Sequence, residues 1–223
     1  LRHKLEDVEL ALKPTDAKVE RGELVVGQLY HGGDWDPDPA ALPNLAQTLK
    51  EHAGMKGGVS KKRVVLGLDD PCEYPVLYLT GHQGFAYTPK QVEALRTYLD
   101  NGGFLLADAC CGKADFDAAF RKLCEQLYPN KELARVPQEH ALYQSPFKIE
   151  RVKYKLAAKR FFPELGHAPN FEALDIKGRL AVVYSRINLG CELQGHPCAN
   201  CIGVEGEDAY RLTVNAILYA LSR

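Results

Sequence analysis

Tyr74-Pro-Val-Leu-Tyr-Leu-Thr80, Thr88-Pro-Lys-Gln91 and Phe104-Leu-Leu-Ala-Asp108 are the pieces of sequence that decide the fold. The first and last are near-continuous apolar runs, as strands become when both faces of a sheet are covered. Between them Thr88 reads as a helix N-cap, with Pro89 at the first helical position and Gln91 three residues beyond the cap. Val92, Leu95, Tyr98 and Leu99 form one apolar stripe, and Asn101-Gly102-Gly103 ends the helix. Strand, helix and strand in that order predict a parallel crossover.

The same alternation extends outward. Glu23–Tyr30 is an upstream strand, followed by a glycine-, aspartate- and proline-rich loop, His31–Pro39. A helix from about Ala40 to Ala53 carries Leu42, Leu45 and Leu49 on one face, and Gly54, Gly57 and Gly58 close it. Arg63–Gly67 is expected as the second strand. Downstream, Asp115 is placed to cap a helix from about Phe116 to Leu127. Residues 128–178 are less regular: 133–136, 147–155 and 171–175 read equally as strands or loops. Gly178–Ser185 is the last clear strand, and Asp208–Leu221 a closing helix. The pattern predicts a doubly wound α/β sheet that is mainly parallel. Residues 1–21 are charged and without an apolar period, an N-terminal extension to a single domain over 22–223.

Composition narrows the functions. Twenty-eight basic against 29 acidic residues leave a net charge of −1, which recruits neither nucleic acid nor an anionic membrane. No apolar run reaches the roughly 20 residues that span a bilayer, so no membrane insertion is expected of this chain. Leu1 is not a natural start residue, so the lack of a signal peptide carries no information about the parent protein. The partner, protein or small molecule, is not encoded in any motif.

In a parallel sheet, ligands bind beyond the carboxyl ends of the strands. That rule sorts the polar residues: His31, Asp34, Trp35 and Asp36 follow the first strand and His82 and Gln83 the third. Asp108, Cys110 and Cys111 follow the fourth, and Arg186, Asn188 and Cys191 the last. His31, Asp34, His82, Asp108 and Cys111 are therefore the candidate ligand-binding residues. Cys110 stands at a strand-to-helix turn, where a helix N-terminus stabilises thiolate, and it is the candidate nucleophile. Its base would come from His82, His140 or His167. The competing reading is a small residue at a tight turn.

Seven cysteines are many, and five of them cluster in two loops. Cys191-x6-Cys198-x2-Cys201 with His196 has the residue types of a tetrahedral zinc site, so these four are candidate ligands and zinc the candidate cofactor. The alternatives are a disulfide within the loop, free thiols, or a mixed site that draws on Cys110 or Cys111.

Leu29–Trp35, Tyr74–His82, Gly102–Asp108, Glu139-His140 and Gly178–Ser185 together resemble a bacterial family known as domain of unknown function 4159, over roughly residues 22–222. That family is similar to the class I glutamine-amidotransferase-like fold, including trehalose-utilisation-type domains. The resemblance implies a flavodoxin-like three-layer sandwich and an exported or periplasmic setting. It also puts Cys110 of Asp108-Ala-Cys-Cys-Gly112 on the amidotransferase nucleophile position, with Asp108 replacing a glycine. The His-x-Glu partner is missing from the last third, where His167-Ala-Pro-Asn lacks the carboxylate. Glutaminase activity is thus not expected. A non-catalytic ligand-binding or interaction module, with structural zinc in the Cys191–Cys201 loop, is the first reading. A thiol- or metal-dependent hydrolase using Cys110 or a Cys/His/Asp cluster is the alternative.

Overall fold

The computed structural model describes residues 22–222 except Lys56, Pro197 and Ala199. The extension at 1–21 lies outside the described residues.

Seven strands form one sheet: β1 Leu24–Leu29, β2 Val59–Val64, β3 Leu77–Gly81, β4 Leu105–Ala109, β5 Ala134–Arg135, β6 Phe171–Ile176 and β7 Arg179–Ser185. Their spatial order is β2-β1-β3-β4-β7-β6-β5. β2, β1, β3, β4 and β7 run parallel, while β6 and β5 are antiparallel additions. The helices are α1 Ala46–Ala53, α2 Pro89–Asp100, α3 Ala114–Leu127, α4 Leu156–Phe161, α5 Gly190–Gln194 and α6 Glu207–Leu221.

The pleat sends alternate strand residues to opposite faces, which builds two cores. Leu24, Val26, Tyr78, Leu106 and Val183 pack with Leu45, just before α1, with Leu49 of α1, and with Leu212, Ala216 and Ile217 of α6. Leu77, Leu79, Leu105, Ala107 and Val182 pack on the other face, with Val92 and Leu95 of α2 and Phe116 and Phe120 of α3. The result is the three-layer α/β sandwich that the alternation predicts.

Local signals fared unevenly. Thr88 and Gln91 make a complete capping box: Thr88 Oγ1 accepts from the Gln91 amide at 3.4 Å, and Gln91 Oε1 accepts from the Thr88 amide at 2.9 Å. Asp115 does not cap α3, because the helix starts at Ala114 with Lys113 at the N-cap, two residues before the expected cap; the Asp115 charge instead sits in the first turn, favourably for the helix dipole. The helix expected from Ala40 is a 3-10 turn at Pro43–Leu45 leading into α1. β2 lies upstream of the expected Arg63–Gly67. It is an edge strand whose central Ser60–Arg63 is polar, with Lys62 and Arg63 exposed and Lys61 paired with Asp36, a composition that suits an unpaired edge and conceals the strand. Within 147–155 only Tyr154 makes a bridge, to Val204. The stretch at 171–175 is a true strand, turned into β7 by Lys177 and Gly178, both at positive φ as a tight hairpin demands.

Tyr98 fastens the crossover. Its hydroxyl oxygen accepts the Phe104 amide at 3.0 Å and lies 3.2 Å from the Tyr74 carbonyl. Gly103 lies flat on the ring; a Cβ there would come within 2.4 Å of it. Tyr98→Phe is expected to strand a buried amide and lower stability by about 1–3 kcal/mol. A urea midpoint that does not move would show that the amide finds another acceptor.

Candidate functional site

Because β1, β3, β4 and β7 are parallel neighbours, the loops leaving their carboxyl ends meet on one edge. Asp108, the penultimate residue of β4, organises them. It is fully buried, and its Oδ2 accepts from Asn188 Nδ2 at 3.1 Å and from the Leu189 and Gly190 amides at 3.0 and 3.2 Å. The Tyr78 hydroxyl donates to Oδ1. All of these partners are protein groups, so Asp108 clamps the loop after β7 to the centre of the sheet. Asn188 relays the clamp by accepting the Cys191 amide at 3.1 Å.

β4 ends in a 3-10 turn, Cys110–Gly112, in which Cys111 takes φ 55° and Gly112 φ 67°. Two successive left-handed residues turn the chain sharply toward α3, and a Cβ on Gly112 would strike Ile202 at 2.5 Å. Ile202 is also held by backbone bonds: its amide donates to the Cys111 carbonyl at 3.3 Å, and its carbonyl accepts from the Asn188 amide at 2.9 Å. The cysteine-rich loop is thereby pinned onto both neighbouring loops.

Five sulfurs gather as a consequence. Cys191 Sγ lies 4.0 Å from Cys110, 3.7 Å from Cys111 and 3.7 Å from Cys201. Cys111 and Cys201 are 2.9 Å apart, and Cys198 and Cys201 are joined as a disulfide. Cys110, Cys191 and Cys201 are buried, while Cys111 and Cys198 are partly open. Asp38 joins them from the loop after β1, with Cys110 Sγ 3.3 Å from its Oδ2. It too is buried, and Gly190 makes room for it, since a Cβ there would meet Asp38 Oδ2 at 2.5 Å. Asp38 has no mark in the sequence, where it reads as one half of an ordinary Asp-Pro turn.

Three ligand-competent sets result among the described residues: Asp38 with Cys110 and Cys191, Cys111 with Cys198 and Cys201, and His82 with Cys110 and Cys111. His82 is held by Asp34. Asp34 Oδ2 lies 2.5 Å from Nδ1 and accepts the His82 amide at 2.9 Å. Burial pushes the Asp34 carboxyl up, but the bonds from the His82 ring and backbone outweigh it and hold the carboxyl below the ordinary range. Burial raises Asp38 instead, as does the charge of Asp108. Cys110 is driven well up by its contact with Cys191, by burial and by the two carboxylates. Burial and the Cys191 charge push the Cys111 thiol up to about 11.

The other candidates take part in none of these three sets among the described residues. His31 donates Nε2–H to the Thr80 carbonyl at 3.0 Å and packs against Phe85, with its Nδ1 buried and unpartnered. His140 Nδ1 accepts the Leu142 amide. His167 lines a cavity of about 550 Å³ with Arg151, Lys153 and Arg211, none of which borders the sulfurs. His196 takes part in no ligand set among the described residues, although its amide donates to the Cys191 carbonyl at 2.9 Å. Arg186 pairs with Asp117 at 3.4 Å. No described helix is long and apolar enough to cross a membrane.

The fold and the edge define an α/β sandwich with cysteines, carboxylates and a histidine converging at the carboxyl end of its parallel strands. The chain belongs to the family described as Domain of unknown function (DUF4159), whose model matches residues 23–221. No curated protein matches it.

Proposed function

We propose that the carboxyl edge is a thiolate metal centre, with zinc as the cation, in a non-catalytic ligand-binding or interaction module. The observation that carries this reading is the triangle of Cys111, Cys191 and Cys201: both separations from Cys191 are 3.7 Å, and the third, 2.9 Å between Cys111 and Cys201, has to open as the metal binds. Zinc–sulfur bonds of about 2.3 Å in a tetrahedron put neighbouring sulfurs about 3.8 Å apart. Cys198 supplies the fourth ligand when reduced, within 4.8 Å of Cys111. Charge supports a cation as well. Asp108 is met by its four protein donors, but Asp38 is buried against Cys110, and no lysine or arginine among the described residues pairs with its carboxylate. Burying such a carboxylate among sulfurs without a positive partner is costly. The metal would tie the turn after β4 to the loop after β7 and hold a shaped edge for a partner.

A second reading has its own observation. Asp34, His82 and a nearby cysteine are arranged as a carboxylate, imidazole and thiol in sequence, which is also how a thiol hydrolase activates its nucleophile. In a metal centre the same Asp34–His82 pair would be an oriented neighbour of the ligands.

Cobalt titration of the reduced protein separates the two. The metal reading expects one equivalent of cobalt to give intense thiolate charge-transfer and tetrahedral d–d bands, with slow alkylation of every cluster cysteine until a chelator is added. One rapidly alkylated cysteine, with no bound metal, would replace it with the hydrolase.

A further inference from the structure

The Cys198–Cys201 disulfide and the metal spacing use the same sulfur. Cys201 is bonded to Cys198, yet it lies 2.9 Å from Cys111 and 3.7 Å from Cys191. A sulfur within a disulfide has no thiolate charge to give zinc, so the two arrangements exclude each other. We infer that the Cys198–Cys201 pair is a redox gate on the metal centre: reduced, it completes the site, and oxidised, it withdraws two ligands and lets the cation go. This rests on the metal reading above.

Accessibility sets the order of events. Cys198 is partly open, whereas Cys201 is 1% exposed. With a hydroperoxide as oxidant, the Cys198 thiolate attacks the terminal oxygen, the O–O bond breaks, and an alkoxide or hydroxide leaves and takes a proton from water. Cys198 is then a sulfenic acid. The Cys201 thiolate attacks its sulfur, the S–S bond forms, and hydroxide departs to be protonated as water. Two electrons pass from the two thiolates to the peroxide, and the metal is left with Cys111 and Cys191 from its thiolate set.

The loop is built to survive this cycle. Lys155 Nζ donates to the Cys198 carbonyl at 2.9 Å and pairs with Glu192. Ile202 is held to Cys111 and Asn188 through the backbone, and Val204 donates to the Asn188 carbonyl at 3.0 Å. The sulfurs stay beside Cys111 and Cys191 while bonded to each other, so reduction restores the ligand set without refolding the edge.

The test uses the full chain with Cys72→Ser, which removes a partly open thiol outside the cluster. Reduced protein is loaded with zinc and then given hydrogen peroxide in the presence of a chromogenic chelator. Zinc release should accompany the loss of two thiols, mass spectrometry should find Cys198 and Cys201 protected from alkylation, and dithiothreitol should restore binding. The oxidised form should bind zinc more than about 100-fold more weakly, since it loses ligands rather than their supports. Reduced protein that binds no zinc would overturn the metal reading and the gate together. Zinc retained after Cys198 and Cys201 have bonded would overturn the gate alone, as would release accompanied by oxidation at other cysteines.

Discussion

Asp108→Ala is expected to destabilise the protein by about 4 kcal/mol, because it removes one buried acceptor that satisfies several donors at once. The Tyr78 hydroxyl, the Asn188 amide group and the Leu189 and Gly190 amides all lose their partner. Each unsatisfied buried donor costs about 1–3 kcal/mol, and a water entering the vacated space would recover part of the total. For a chain of this length the melting temperature should fall by about 10 °C. Asp108→Asn keeps an acceptor oxygen and the side-chain shape, so it should cost markedly less. Thermal unfolding of both variants checks the claim; equal losses would mean that the charge matters and the hydrogen-bond geometry does not. The clamp joins fold to site, because the residues that Asp108 holds lead directly into Cys191.

Cys191→Ser is expected to weaken zinc binding by the reduced protein more than about 100-fold while leaving its circular dichroism unchanged. Cys191 is the centre of the cluster, with Cys110, Cys111 and Cys201 all within 4.0 Å of its sulfur. Serine is nearly isosteric, so the fold has no steric reason to fail, but its hydroxyl is a poor zinc ligand at neutral pH. Cys72→Ser, away from the cluster, is the control and should bind zinc as the parent does. Competition against a chelator of known affinity measures the difference. An unchanged affinity for Cys191→Ser would remove the central ligand and with it the proposed metal set.

The readable parts of this protein are those whose signals are local. The capping box at Thr88 and Gln91 and the apolar stripe of α2 follow from interactions three or four residues apart. β3 and β4 announce themselves through burial on both faces. β2 does not, because its middle is Ser60, Lys61, Lys62 and Arg63, which leave it no apolar period to show. β6 was ambiguous for a related reason: a strand that joins the sheet antiparallel, through a two-residue turn, needs none of the helical spacing that marks the others.

The site divides along the same line. By itself the sequence determined that His31, Asp34, His82, Cys110 and Cys191 follow strands in a parallel pattern, with Asp108 near the end of one, and parallel strands bring their carboxyl ends to one edge. Which atoms meet there was decided only by the tertiary structure. Cys111 and Cys201 are 90 positions apart in the chain, and Asp38 and Cys110 are 72. Their contact depends on β1, β3, β4 and β7 lying side by side in that order, and on Asp108 drawing the last loop inward. Spacing within one loop suggested His196 as a ligand; the sulfur that lies beside both Cys191 and Cys201 is that of Cys111, from the neighbouring loop. Strand order, which no local pattern encodes, selects the partner.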